Sequence, residues 1–129
     1  MHILLVDDSL DVLEAYSELL EDAGYRVTSC ATGLGALIRV GLERPDLVIL
    51  DLKLDDISGL DVHRALRADP DFSSLPILFV SGVILDREVL QAQISDSDVR
   101  LLLKPIHPDE LICTIREVLA GCGSKRSAA

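Results

Sequence analysis

The feature that most constrains this chain is its alternation of short apolar runs with longer amphipathic segments. ILLV (3–6), LVIL (47–50) and ILFV (77–80) are each four apolar residues long, too short for helices and apolar enough to be strands buried on both faces. With Tyr25–Ser29 and Val99–Leu103 they make five expected strands. Residues 9–23 carry Leu10, Leu13, Tyr16, Leu20 and Ala23 at helical spacing, and Gly24 stands where a C′ glycine ends a helix. Further helices are expected over 34–42, closed before Pro45, over 58–68, and over roughly 86–94. A last helix opens at Pro108 and buries Leu111, Ile112, Ile115 and Leu119. Helices between successive strands predict an α/β fold: a doubly wound, five-stranded parallel sheet with helices on both faces. One domain over 1–120 is expected, with 121–129 (GCGSKRSAA) as a disordered tail.

Composition narrows the function classes. With 22 acidic and 12 basic residues the net charge is −10, which opposes direct nucleic-acid binding by this domain. Only Lys125 and Arg126 form a basic pair. Three cysteines, Cys30, Cys113 and Cys122, show no metal-ligand spacing and read as reduced thiols. No apolar stretch approaches the roughly 18 residues of a membrane span, and MHILLVDD lacks the basic start of a signal peptide. A cytoplasmic protein without membrane contact is expected.

In doubly wound sheets, ligands gather beyond the carboxyl ends of the strands. There the first strand runs into Asp7-Asp8, the third into Asp51, the fourth into Ser81 and the fifth into Lys104-Pro105. An aspartate closing a buried strand is costly unless it has a task. Asp51 alone could be a turn residue, a metal ligand or a nucleophile, and Asp7-Asp8-Ser9 could simply cap the first helix. Three converging carboxylates repel one another, and a hard divalent cation such as Mg²⁺ relieves that repulsion. One of them could then attack phosphorus, with Lys104 and Ser81 holding phosphoryl oxygens. Gly33-Leu34-Gly35 hints at a dinucleotide loop, but it follows the second strand and Ile38 stands where the third glycine belongs.

VDDS after the first strand, DLKLDDISGL around Asp51, VSG after the fourth and LLLKP after the fifth together resemble the receiver domain of two-component response regulators. The likeness covers residues 1 to about 120. It implies the flavodoxin-like strand order 2-1-3-4-5 and a phosphorylation-controlled switch. In that pattern Asp51 is the phosphoacceptor. Asp7, Asp8, Asp51 and the backbone carbonyl of Lys53 hold Mg²⁺. Ser81 is the hydroxyl switch residue, Lys104 contacts the phosphoryl group, and Lys104-Pro105 is a cis peptide. The implied partners are a sensor histidine kinase or histidine phosphotransfer protein and a downstream protein, with a phosphorylation-dependent dimer through the fourth helix, fifth strand and last helix. Such a domain catalyses only its own phosphorylation and dephosphorylation.

Departures from the pattern are specific. Leu101 stands where the family has a switching aromatic, Asp55 where it has a proline, and Gly82 where alanine is commoner. QISDSDV predicts a short or shifted fourth helix. A haloacid-dehalogenase-type hydrolase also forms an aspartyl phosphate, but it needs a second aspartate where this chain has Lys53. The other alternative is a receiver-fold interaction module that works without phosphorylation. The chain reads equally as a stand-alone receiver or as the N-terminal part of a longer protein.

Overall fold

The computed structural model describes residues 1–82 and 99–128. In chain order these form β1 (His2–Val6), α1 (Leu10–Asp22), β2 (Arg26–Cys30), α2 (Gly33–Glu43), β3 (Leu47–Asp51), α3 (Gly59–Ala68), a 3₁₀ turn (Pro70–Phe72), β4 (Ile77–Ser81), β5 (Val99–Leu103) and a C-terminal helix (Pro108–Ala128). All strand pairs are parallel, and the order is β2-β1-β3-β4-β5, as the sequence pattern and the resemblance implied.

Period-two alternation in the strands divides the core between the two faces. Ile3, Leu5, Leu47, Ile49, Leu78 and Val80 point to one side, where Leu13 and Leu20 of α1 meet Leu111 and Ile115 of the C-terminal helix. Leu4, Val6, Val48, Leu50, Ile77 and Phe79 point to the other, against Ala36 and Val40 of α2 and Val62 and Leu66 of α3. Central strands β3 and β4 are buried throughout, which explains their unbroken apolar sequence.

Local signals set the helix ends. Ser9 caps α1 by accepting from the Val12 N–H. At the other end the Tyr25 and Gly24 N–H groups donate to Leu20 and Glu21 carbonyls while Gly24 takes a φ of 96°, a Schellman stop that glycine adopts without steric cost. Ser58 and Asp61 form a reciprocal capping box on α3. At Arg44 the backbone turns left-handed (φ 47°), ending α2 ahead of Pro45, which disfavours a helical residue before it.

The C-terminal helix is described to Ala128, over residues where the sequence suggests a disordered tail at 121–129. Glycines 121 and 123 weaken a helix without forbidding it, and no proline follows. The expected fourth helix and QISDSDV fall almost wholly outside the described residues. No helix among the described residues is long and apolar enough to cross a membrane.

Candidate functional site

The sheet brings Asp7, Asp8, Asp51, Ser81 and Lys104 together at the carboxyl ends of its strands, as anticipated. Register does this: Val6 is level with Leu50, Asp51 with Val80, and Ser81 with Leu103, so the residues closing each strand meet along one edge.

Asp7 is 3% exposed and Asp51 9%, while Asp8 is more open. One carboxylate oxygen from each lies within 4.8 Å of the others, a spacing a single cation can bridge. Lys104 sits across two of them, its Nζ 3.1 Å from Asp7 Oδ2 and 3.2 Å from Asp51 Oδ2. The second oxygens are also engaged, Asp7 Oδ1 accepting from the Ser9 N–H (2.9 Å) and Asp51 Oδ1 from the Lys53 N–H (3.0 Å). Asp7 therefore orders the start of α1 and remains part of the acidic cluster. Lys104 is held by its own backbone too, its N–H donating to the Ser81 carbonyl at 2.6 Å, and the Lys104-Pro105 bond is cis. Ser81 is buried (2% exposed).

The electrostatics are those of a crowded anionic pocket. Burial pushes the Asp51 carboxyl above its ordinary value, against the lowering effects of the Lys53 N–H and the Lys104 ammonium. Asp8 is also raised, by burial, by a carboxyl–carboxyl contact with Asp55, and by the charges of Asp7 and Asp51. Burial works to lower Lys104, but its bonds and charge contacts with Asp7 and Asp51 outweigh that and hold it above the usual lysine value. Burial and the neighbouring carboxylates both disfavour the charged forms of Asp51 and Asp8, and a divalent cation fits such a donor set.

The β3–α3 loop is pinned from both sides. Asp55, where the family has proline, reaches Asp8. Asp56 turns the other way and accepts from the Gly33 and Leu34 N–H groups, both at 2.9 Å, at the N-terminus of α2. Those N–H groups hold its carboxyl down at about 2, Leu34 contributing most. Sequence reasoning missed this role, since Asp56 is remote in sequence from the helix it caps. The glycines first weighed as a dinucleotide loop thus serve an internal cap.

Because the Asp56 carboxyl is depressed in the fold, its contribution is present above the unfolded carboxylate value and is lost as pH falls towards about 2. Asp56→Ala is therefore expected to lower the urea unfolding midpoint at pH 7, with the deficit shrinking as pH drops towards 2. A deficit independent of pH excludes the charged cap as its cause.

Elsewhere the histidines have structural settings. His63 is buried with its ring 6.0 Å from that of Phe79, His2 Nε2 lies 2.8 Å from Thr28 Oγ1, and His107 is exposed. Leu101 is level with Phe79 on β5 and packs, half-buried, against the α2/α3 side of the core.

A five-stranded 2-1-3-4-5 parallel sheet with an acidic pocket and a lysine at its carboxyl edge defines a receiver-type domain. The response regulator receiver domain family model matches residues 3–116, and the chain belongs to that family. It is a signalling domain of two-component systems rather than a conventional enzyme.

Among curated relatives, the DNA-binding response regulator MtrA of Mycobacterium tuberculosis (strain ATCC 25618 / H37Rv) is 36% identical over 114 residues, covering 88% of this chain and 48% of MtrA. The transcriptional regulatory protein KdpE of the same strain is 34% identical, covering 88% and 49%. The chain thus spans about half the length of the curated relatives it matches. Among solved structures, the receiver domain of a sensor histidine kinase from Pseudomonas aeruginosa PAO1 matches with a TM-score of 0.81 at 30% identity, covering 92% of this chain and 97% of that one. That structure holds a magnesium ion in its active-site cleft. Chemotaxis protein CheY4 of Vibrio cholerae matches with a TM-score of 0.81 at 28% identity, covering 91% and 97%.

Proposed function

We propose that this domain accepts a phosphoryl group on Asp51 from a phosphohistidine of a sensor histidine kinase or phosphotransfer protein, and signals through altered protein contacts. The observation that carries the proposal is the placement of Asp51 within 4.8 Å of Asp7 and Asp8 and 3.2 Å from Lys104. Asp7, Asp8, Asp51 and the Lys53 carbonyl would hold Mg²⁺, which when bound neutralises charge at the carboxylates and on the incoming phosphoryl oxygens.

The protein's own groups do the rest. As a carboxylate, Asp51 needs no general base to attack phosphorus. Its O–P bond forms as the donor's N–P bond breaks, and the departing imidazole takes up a proton. The Lys53 N–H fixes the carboxylate's orientation, so the nucleophile is placed before the donor arrives. Lys104 lies where its ammonium can pass from Asp51 to a phosphoryl oxygen, and the Ser81 hydroxyl would take another. Lys53, in place of the second aspartate of a dehalogenase-type hydrolase, leaves the acyl phosphate without an acid/base partner for rapid turnover.

Incubated with a small acyl-phosphate donor and Mg²⁺, the chain is expected to gain one phosphoryl group by intact-mass measurement, and none when EDTA is present. A chain that stays unlabelled with donor and Mg²⁺ favours the phosphorylation-independent interaction module. Leu101 speaks for that second reading, because a leucine has no ring to swing between exposed and buried positions.

A further inference from the structure

Helix α2 carries an apolar stripe that its own fold does not cover. Leu34, Ile38 and Leu42 are 56%, 64% and 74% exposed and lie at i, i+4 and i+8 on one face. The buried face is formed separately by Gly33, Ala36 and Val40. Three exposed large aliphatics in line on one helix form a contiguous patch, unlike scattered single ones.

The stripe is palindromic about Ile38. Leu34 and Leu42 lie four residues to either side, and Gly35 and Gly41 three residues to either side. Two such helices packed antiparallel about a twofold axis through Ile38 bring Leu34 over Gly41 of the second copy, Leu42 over Gly35, and Ile38 against its equivalent. That is the self-complementarity an isologous contact requires. Gly35 has an internal reason to be glycine, because a Cβ there meets Cys30 Sγ and Thr32 Oγ1 at 2.7 Å. Gly41 has none: a Cβ there meets nothing within 4 Å, so the lone fold gives up helix stability at 41 for no internal contact.

Charge selects the same face. Two copies of a chain with net charge −10 repel through most of their surface. The exposed residues of α1 include Asp11, Glu14, Glu18, Glu21 and Asp22, whereas those of α2 are Leu34, Ile38, Arg39, Gly41 and Leu42. The acid at the end of α2, Glu43, is half-buried and paired with Arg39 at 3.4 Å.

We infer that α2 is a self-association face, through which two copies of this chain pair antiparallel about Ile38. The face is distinct from the one formed by β5 and the C-terminal helix, and pairing through it requires no phosphorylation. Three large side chains are few beside the roughly 20–30 residues a side of a standard interface, so the dimer is weak and concentration-dependent.

Sedimentation velocity of the unphosphorylated chain from about 10 μM to about 1 mM tests this across the range where weak dimers form. The average mass is expected to rise towards that of a dimer. Ile38→Glu is expected to lower the association constant at least about tenfold. Leu10→Glu, on a 73%-exposed residue of α1, adds the same charge and is expected to leave association unchanged. Gly41→Ala is expected to raise the melting temperature yet weaken association, because the added methyl separates the paired helices. A mass that stays monomeric throughout overturns the inference. So does equal weakening by both glutamate substitutions, which makes long-range charge the cause, or a dimer indifferent to Ile38→Glu, which places the contact elsewhere.

Discussion

Asp51→Asn is expected to abolish phosphoryl uptake while leaving the fold intact. The amide keeps an oxygen that can accept from the Lys53 N–H, now 3.0 Å from Asp51 Oδ1, and Lys104 retains Asp7 at 3.1 Å. What goes is the anionic nucleophile, and a neutral amide does not replace it. The variant is also expected to be at least as stable as the wild type at pH 7. Burial raises the Asp51 carboxyl, so its ionisation is harder in the fold than in the unfolded chain. Stability is therefore lost as pH climbs from the unfolded carboxylate value through the raised folded one, and the asparagine variant escapes that loss. Intact-mass labelling and urea midpoints at several pH values check both parts. Labelling at the wild-type level overturns Asp51 as the acceptor. A stability advantage that persists below the ordinary carboxylate value of 3.8 shows that relief of charge is not its origin.

Gly59→Ala is expected to destabilise the domain by about 2 kcal/mol and to weaken cation binding with it. The first turn of α3 lies directly on the backbone that carries Asp51. A Cβ at 59 would stand 2.5 Å from the Asp51 carbonyl oxygen and 2.9 Å from Leu52 Cα, and the Gly59 N–H already donates to the Leu52 carbonyl at 2.9 Å. These neighbours are backbone at the end of a central strand and have little room to yield. Overpacking of this kind costs about 1–3 kcal/mol, and here the upper end or more applies. Alanine's better helix propensity returns at most about 1 kcal/mol, so the clash decides the sign. Urea unfolding measures the loss, and calorimetric titration with Mg²⁺ measures the displaced Asp51. Unchanged stability means that α3 can slide off the strand end and does not fix the loop.

Most of the fold was legible because the signals were local. Four-residue aliphatic runs, a glycine at 24, a proline at 108 and serines at 9 and 58 each act within a turn of where they stand, and the elements follow them to within a residue or two. At the C-terminus the local signals are weaker, since glycine and polar residues suggest disorder yet allow a helix. The site residues were legible for a different reason. Asp7-Asp8, Asp51, Ser81 and Lys104 each close an apolar run, and strands of one parallel sheet end on the same edge.

The contacts made by loop residues were not legible. Asp55 and Asp56 are adjacent and chemically identical, yet one adds to the acidic pocket beside Asp8 and the other caps α2. Nothing in the sequence separates them, because the choice depends on which backbone groups the loop passes.

What the sequence determined alone was therefore the alternation of strand and helix, the five strands and the residues that close them, since burial pattern and capping act at short range. Only the tertiary structure decided that Lys104 spans Asp7 and Asp51, that Asp56 ties the β3–α3 loop to α2, and that Leu34, Ile38 and Leu42 stay exposed. Those are long-range outcomes of strand register and helix docking, and they bring together side chains up to 97 positions apart.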